Sequence, residues 1–193
     1  MVVRAPRIDK TRVTLLGTGV GLGLVLVPLI VVTGAAAHPN VIDFRQTCSG
    51  HRADGHNHSD TIYGSRVCSN TPDIFRGLFG DDRIFGYRGD DTLLKGSRGD
   101  DFVSGGSGDD RVEGSGGADE LSGGPGADHV EGGPDGDLIL AGGGRDNLFG
   151  QEGDDKIRGN GGNDSIDCGE GASDEAWGGA GDDTFVGCER IHQ

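Results

Sequence analysis

From residue 77 onward the chain sets one apolar side chain two positions after an aspartate and returns to that arrangement about every nine residues. The copies are GLFGDDRIF at 77–85, GYRGDDTLL at 86–94, GSRGDDFVS at 96–104, GGSGDDRVE at 105–113 and GSGGADELS at 114–122. GGPGADHVE, GGPDGDLIL and AGGGRDNLF fill 123–149, followed by GQEGDDKIR at 150–158, GNGGNDSID at 159–167 and, past an irregular segment, GGAGDDTFV at 178–186. The sixth place holds Asp82, Asp91, Asp101, Asp110, Asp119, Asp128, Asp137, Asp146, Asp155, Asp164 and Asp183. Lys95 and the segment 168–177 break the period. GHNHSDTIY at 55–63 keeps Asp60 and Ile62, and CSNTPDIFR at 68–76 keeps Asp73 and Phe75, so degraded copies precede residue 77.

A nine-residue unit with one or two apolar places is too short for a helix and its connection, and it has no 3.6-residue apolar stripe. It predicts a turn and a very short strand. Places one to five carry Gly, Ser, Pro, Asn and Asp, the residues of tight turns, and places seven to nine extend. If two units make one coil of 18 residues, strands of successive coils stack in parallel at about 4.8 Å. Eighth-place Ile84, Val103, Leu121, Ile139 and Ile157 then face Leu93, Val112, Val130, Leu148 and Ile166. The expected fold is all-β, a parallel solenoid with a core one aliphatic layer deep from each side.

Composition agrees with so thin a core: 40 of 193 residues are glycine, 33% are apolar and 5% aromatic. Part of the apolar share lies in VTLLGTGVGLGLVLVPLIVVTGAAA at 13–37, preceded by Arg4, Arg7, Lys10 and Arg12 and ending in Ala35-Ala36-Ala37. A basic region, an apolar stretch and small residues predict an export signal cleaved after Ala37; the alternative is an uncleaved signal anchor. The domain expectation is a signal peptide over 1–37, an N-terminal cap with degenerate repeats over 38–76, the regular solenoid over 77–167 and a C-terminal cap with the last repeat over 168–193. Removing 1–37 leaves 13 basic against 31 acidic residues, a formal −18. Such a surface repels nucleic acid and attracts cations, and a membrane is a partner only if the signal is not cleaved.

Stacking brings sixth-place aspartates of alternate units together, Asp82 with Asp101 and Asp91 with Asp110, which is destabilising without a cation between them. Carboxylates with the carbonyls of glycine-rich turns form the all-oxygen ligand set that suits calcium. Cys48, Cys68, Cys168 and Cys188 form two pairs 20 residues apart. Three pairings are possible; Cys48–Cys68 and Cys168–Cys188 fit a coil of 18 residues and would close the two ends, and a four-cysteine zinc site is the runner-up.

The recurring G-G-x-G-x-D-x-U-x pattern resembles the hemolysin-type calcium-binding repeat, the RTX family, over roughly 55–191. The resemblance implies a parallel β-roll in which Ca²⁺ lies between turns, held by backbone carbonyls and the eleven sixth-place aspartates named above. Two positions depart from the pattern: Asp135 replaces the fourth-place glycine before Asp137, and Ser173 holds the sixth place with Asp174 after it. The tail from Asp164 to Ile191 also resembles the cysteine-closed end of small exported actinobacterial proteins of this type.

His51, His56 and His58 with Asp60 could bind a transition metal, but they read first as exposed histidines of a degraded repeat. No H-E-x-x-H, G-x-S-x-G or G-x-x-x-x-G-K-[ST] occurs, and repeated pairs such as Asp81-Asp82 and Asp154-Asp155 read as ligands, because catalysis needs one tuned pair. The expected function is that of a secreted, extracellular calcium-binding module, structural or interacting, that folds on binding Ca²⁺ and is not an enzyme. Cell-surface or matrix polysaccharide or protein are its candidate partners. The alternative is an extracellular polysaccharide-acting enzyme or subunit built on the roll, which needs an aromatic-lined groove that Phe79, Phe85, Tyr87 and Trp177 are too scattered in the frame to promise.

Overall fold

A computed structural model describes residues 41–43, 51–67 and 72–193. The leader expected over 1–37, Cys48 and Cys68 lie outside the described residues. The described chain forms β1 (Val41–Asp43), β2 (Arg52–Asp54), β3 (Thr61–Tyr63), β4 (Ile74–Phe79), β5 (Arg83–Arg88), β6 (Leu93–Arg98), β7 (Phe102–Ser107), β8 (Arg111–Gly116) and β9 (Glu120–Pro125). It continues with β10 (His129–Pro134), β11 (Leu138–Gly143), β12 (Asn147–Glu152), β13 (Lys156–Gly161), β14 (Ser165–Asp167), β15 (Glu175–Ala180), β16 (Thr184–Val186) and β17 (Arg190–His192). Odd-numbered strands form one sheet and even-numbered strands the other, each in unbroken parallel order. The chain therefore alternates between two sheets and climbs one strand per coil, a parallel β-roll. The segment expected as a degraded N-terminal cap supplies β1 to β4 of the same two sheets.

The core is the single layer on each side that the repeat implies. Ile62, Ile84, Val103, Leu121, Ile139 and Ile157 from the odd sheet meet Phe75, Leu94, Val112, Val130, Leu148 and Ile166 from the even sheet, all essentially without solvent exposure. Leu94, not Leu93, is the inward residue of β6, pairing with Phe75 and Val112. The extra residue that shifts the frame is taken up in the turn before the strand: the Asp73 carbonyl accepts from both Thr92 N–H at 3.0 Å and Leu93 N–H at 3.4 Å. A slip inside the strand would instead turn every later side chain to the wrong face.

The strands are longer than the three places expected of them. Most run over places seven to nine and on through places one to three of the next unit, as in Arg83–Arg88, because their backbone groups find ladder partners such as Tyr87 with Gly106 and Arg88 with Ser107. The turn shrinks to places four to six. Place four has a left-handed backbone, φ +116° at Gly89 and +128° at Gly108, and Asp135 keeps φ +80° there, so the bend survives where the glycine does not. Cys168 and Cys188 are joined, with Cα atoms 5.1 Å apart. That bond removes two of the four thiols that a four-cysteine zinc site would need.

Candidate metal centre

Each sixth-place aspartate closes a turn just before a strand begins, so strand register fixes its height and the turn fixes its direction. The result is two rows, one along each flank. The first contains Asp60, Asp82, Asp101, Asp119, Asp137, Asp155 and Asp174; the second contains Asp73, Asp91, Asp110, Asp128, Asp146, Asp164 and Asp183. In both, the aspartate N–H donates to the Oδ1 of the aspartate one coil further on, at 2.6–3.0 Å. The rows end on substitutes. His51 N–H donates to Asp73 Oδ1 at 2.9 Å, with the imidazole Nδ1 2.8 Å from the same oxygen, and Glu189 Oε2 accepts from Asp174 N–H at 2.9 Å.

The second carboxylate oxygen has no such partner, except at the start of the first row, where Asp60 Oδ2 accepts from the His56 N–H and Oδ1 is the one left over. Among the described residues, thirteen aspartate oxygens in these rows are buried with no hydrogen bond, including Oδ2 of Asp82, Asp110, Asp128 and Asp164. At most levels this oxygen packs against the first-place glycine of its own unit: a Cβ on Gly77 would lie 2.0 Å from Asp82 Oδ2 and 2.6 Å from the Gly96 carbonyl oxygen, and one on Gly114 would lie 2.2 Å from Asp119 Oδ2 and 2.7 Å from the Gly132 oxygen. The bare glycine lets one carboxylate oxygen and one carbonyl oxygen of the next coil pack against its Cα, where a side chain would displace them.

Burying a carboxylate costs most as the anion, and carboxylates above and below add to that cost. Burial first, then the neighbouring aspartates, push Asp91 and Asp137 up to about 8, Asp82, Asp101, Asp110 and Asp128 to about 7, and Asp119, Asp146 and Asp155 to about 6. Hydrogen bonds from the backbone N–H of the preceding coil oppose the rise without cancelling it. Outside the first row lies a second, exposed one, in which Asp81 Oδ1 accepts from Asp100 N–H at 3.1 Å and Asp100 Oδ1 from Ala118 N–H at 3.0 Å. Together they line an open groove of about 800 Å³ along the first flank.

The donor set fits a hard cation: every group offered is oxygen, and nearly every level carries one buried, unpartnered carboxylate oxygen close to a carbonyl oxygen of the next coil. Among the described residues no three His, Cys, Asp or Glu side chains converge on one point, so backbone carbonyls must supply most of any ligand shell. Ten of the eleven aspartates read from the repeat are buried in the rows, and Asp183 is half-buried at the end. Asp60 and Asp73 extend the rows, and Asp174, not Ser173, takes the sixth place, the extra residue again lying in the turn. Only the position of Glu189 two residues before Ile191, which mimics an aspartate and its apolar follower, could have marked it. The histidines separate: His51 serves the second flank, His56 the first through its backbone N–H to Asp60, and His58 is exposed. Tyr63, Phe85 and Tyr87 do gather, stacked with centroids 5.3–6.3 Å apart on the outer face of the odd sheet.

Fold and rows together define a parallel β-roll whose turns carry stacked oxygen ligands. The RTX calcium-binding nonapeptide repeat matches residues 69–94, 93–121, 104–139, 131–166, 140–173 and 169–187, more than half of the 193-residue chain, and the protein belongs to that family. Among curated protein sequences nothing matches the chain.

Proposed function

We propose that this is an exported, non-catalytic module that folds when extracellular calcium enters its turns and then serves as a structural or interaction element. The observation that carries this reading is the file of buried, unpartnered carboxylate oxygens, most of them packed beside a bare glycine and a carbonyl oxygen of the next coil. Calcium supplies the positive charge that lets these carboxylates stack while ionised. Asp82, Asp91, Asp101, Asp110, Asp119, Asp128, Asp137, Asp155, Asp164 and Asp183, with carbonyls of the facing turns, would hold it. Export is supported by the basic and apolar N-terminal segment with its alanine triplet and by the C-terminal disulfide, a bond of oxidising compartments. Sites of extracellular type bind at about 10⁻⁴ to 10⁻³ M, so the chain would remain unfolded at cytoplasmic calcium.

The test is a calcium titration of the full chain from excess chelator, followed by circular dichroism and hydrodynamic radius, beside a variant with Asp110, Asp119 and Asp128 changed to Asn. The wild type should gain β signal and contract in the millimolar range, and the variant should need several-fold more calcium. Full β structure in chelator at pH 8, or the same midpoint in both, refutes the reading. Export is checked separately by N-terminal sequencing, which should find His38 first on protein recovered from the medium.

A further inference from the structure

One level of the second row differs from its neighbours. The first-place residues beside Asp91, Asp110, Asp128, Asp146 and Asp164 are Gly86, Gly105, Gly123, Ala141 and Gly159. At the four glycines the site of the missing Cβ lies 2.0–2.4 Å from the carboxylate Oδ2 and 2.4–2.8 Å from the carbonyl oxygen one coil on. Ala141 is fully buried and has a methyl group in that space. Register does not move it aside, because its strand pairs without a slip on both sides, Leu140 with Ser122 and with Arg158. Arg145, exposed in the fifth place of the same unit, brings a cation where Asp90 and Asp109 stand at other levels of this flank.

The C-terminal coil shows what compensation would look like. There Cys168 also fills the first place, but the irregular turn sets Gly171 so that its missing Cβ faces both Asp174 oxygens, at 2.5 and 2.6 Å, and the Gly153 carbonyl oxygen at 2.1 Å. Gly144, the corresponding glycine before Asp146, faces Gly126 and Ala127 and no carboxylate.

Resting on the calcium reading above, we infer that the Asp146 level takes no ion and that the calcium file on this flank is interrupted there. The Ala141 methyl stands where the carboxylate oxygen and the facing carbonyl pack at the glycine levels, so Asp146 Oδ2 cannot take the position that its counterparts hold. Asp146 keeps its structural part, its Oδ1 accepting the Asp128 N–H at 2.8 Å.

Calcium bound per full-length chain at saturation, measured by equilibrium dialysis with radioactive calcium, tests this on the wild type and on Asp128→Asn, Asp146→Asn and Ala141→Gly. Asp128→Asn should lose one ion, Asp146→Asn none, and Ala141→Gly should gain one. Loss of an ion in Asp146→Asn, or an unchanged count in Ala141→Gly, overturns the inference and leaves the calcium reading intact. A wild type that binds no calcium overturns both. If Asp128→Asn fails to fold, the gain or absence of gain in Ala141→Gly decides alone.

Discussion

Acid should substitute for calcium. Asp91 rises from 3.8 to about 8 in the fold, and Asp119 from 3.8 to about 6; at about 1.4 kcal/mol per unit, holding them ionised costs about 6 and about 3 kcal/mol. Both are at most 3% exposed, so solvent screening relieves little of this. A domain's whole stability is about 5–15 kcal/mol, so two or three such anions without a cation exceed it. Because the folded-state values lie above the unfolded ones, the stabilising form is the protonated one: its contribution is complete below about 3.8 and is lost as pH rises through about 6 to 8. In excess chelator the full chain should be expanded and without β signal at pH 8.5, and should gain β structure and contract between pH 7 and 4.5. Circular dichroism and small-angle scattering across that range check it. A compact β-rich chain at pH 8.5 in chelator, or one that stays expanded at pH 4.5, would show that the buried carboxylates do not control folding.

Gly114→Ala puts a Cβ 2.2 Å from Asp119 Oδ2 on a backbone that alanine otherwise accepts, so it should cost about 1–3 kcal/mol by overpacking in chelator at pH 4.5 and about 1.4–2.7 kcal/mol more in 10 mM calcium through loss of one site; equal losses in both conditions would leave the placement of Asp119 Oδ2 without a part in binding. Leu94→Ala should cost about 2–5 kcal/mol and Leu93→Ala clearly less, since only Leu94 is fully buried; urea melts in saturating calcium that reverse this order would restore Leu93 to the core. Cys188→Ser removes a bond spanning 20 residues and should cost about 3 kcal/mol by the same melts.

The architecture was legible because one aliphatic residue per nine and one aspartate two places before it admit few other solutions, and Ile84, Val103, Leu121, Ile139 and Ile157 sit where that pattern puts them. Extra residues were not legible. Counting from Gly86 puts Leu93 inside, and counting from Cys168 puts Ser173 in the row, because periodicity cannot say which residue a turn will loop out. Burial energy of Leu94 and the acceptor role of Asp174 decide it in three dimensions. The row ends were hidden for a different reason: His51 and Glu189 do an aspartate's hydrogen-bonding work with another side chain, which a pattern defined on aspartate does not register. The two Oδ oxygens also looked equivalent in sequence, whereas at most levels one is held by the neighbouring coil and the other is buried without a hydrogen bond.

Because each coil is bonded chiefly to the coil before and the coil after, the molecule has the mechanics of a stack and not of a knot. Pulled along its axis, the roll should come apart from an end, each detached coil releasing about 18 residues, or roughly 60 Å of extended chain. Force would then register as a staircase of nearly equal steps. The Cys168–Cys188 bond withholds the span between its two cysteines, so the staircase should stop short of the full contour length until a reductant is added.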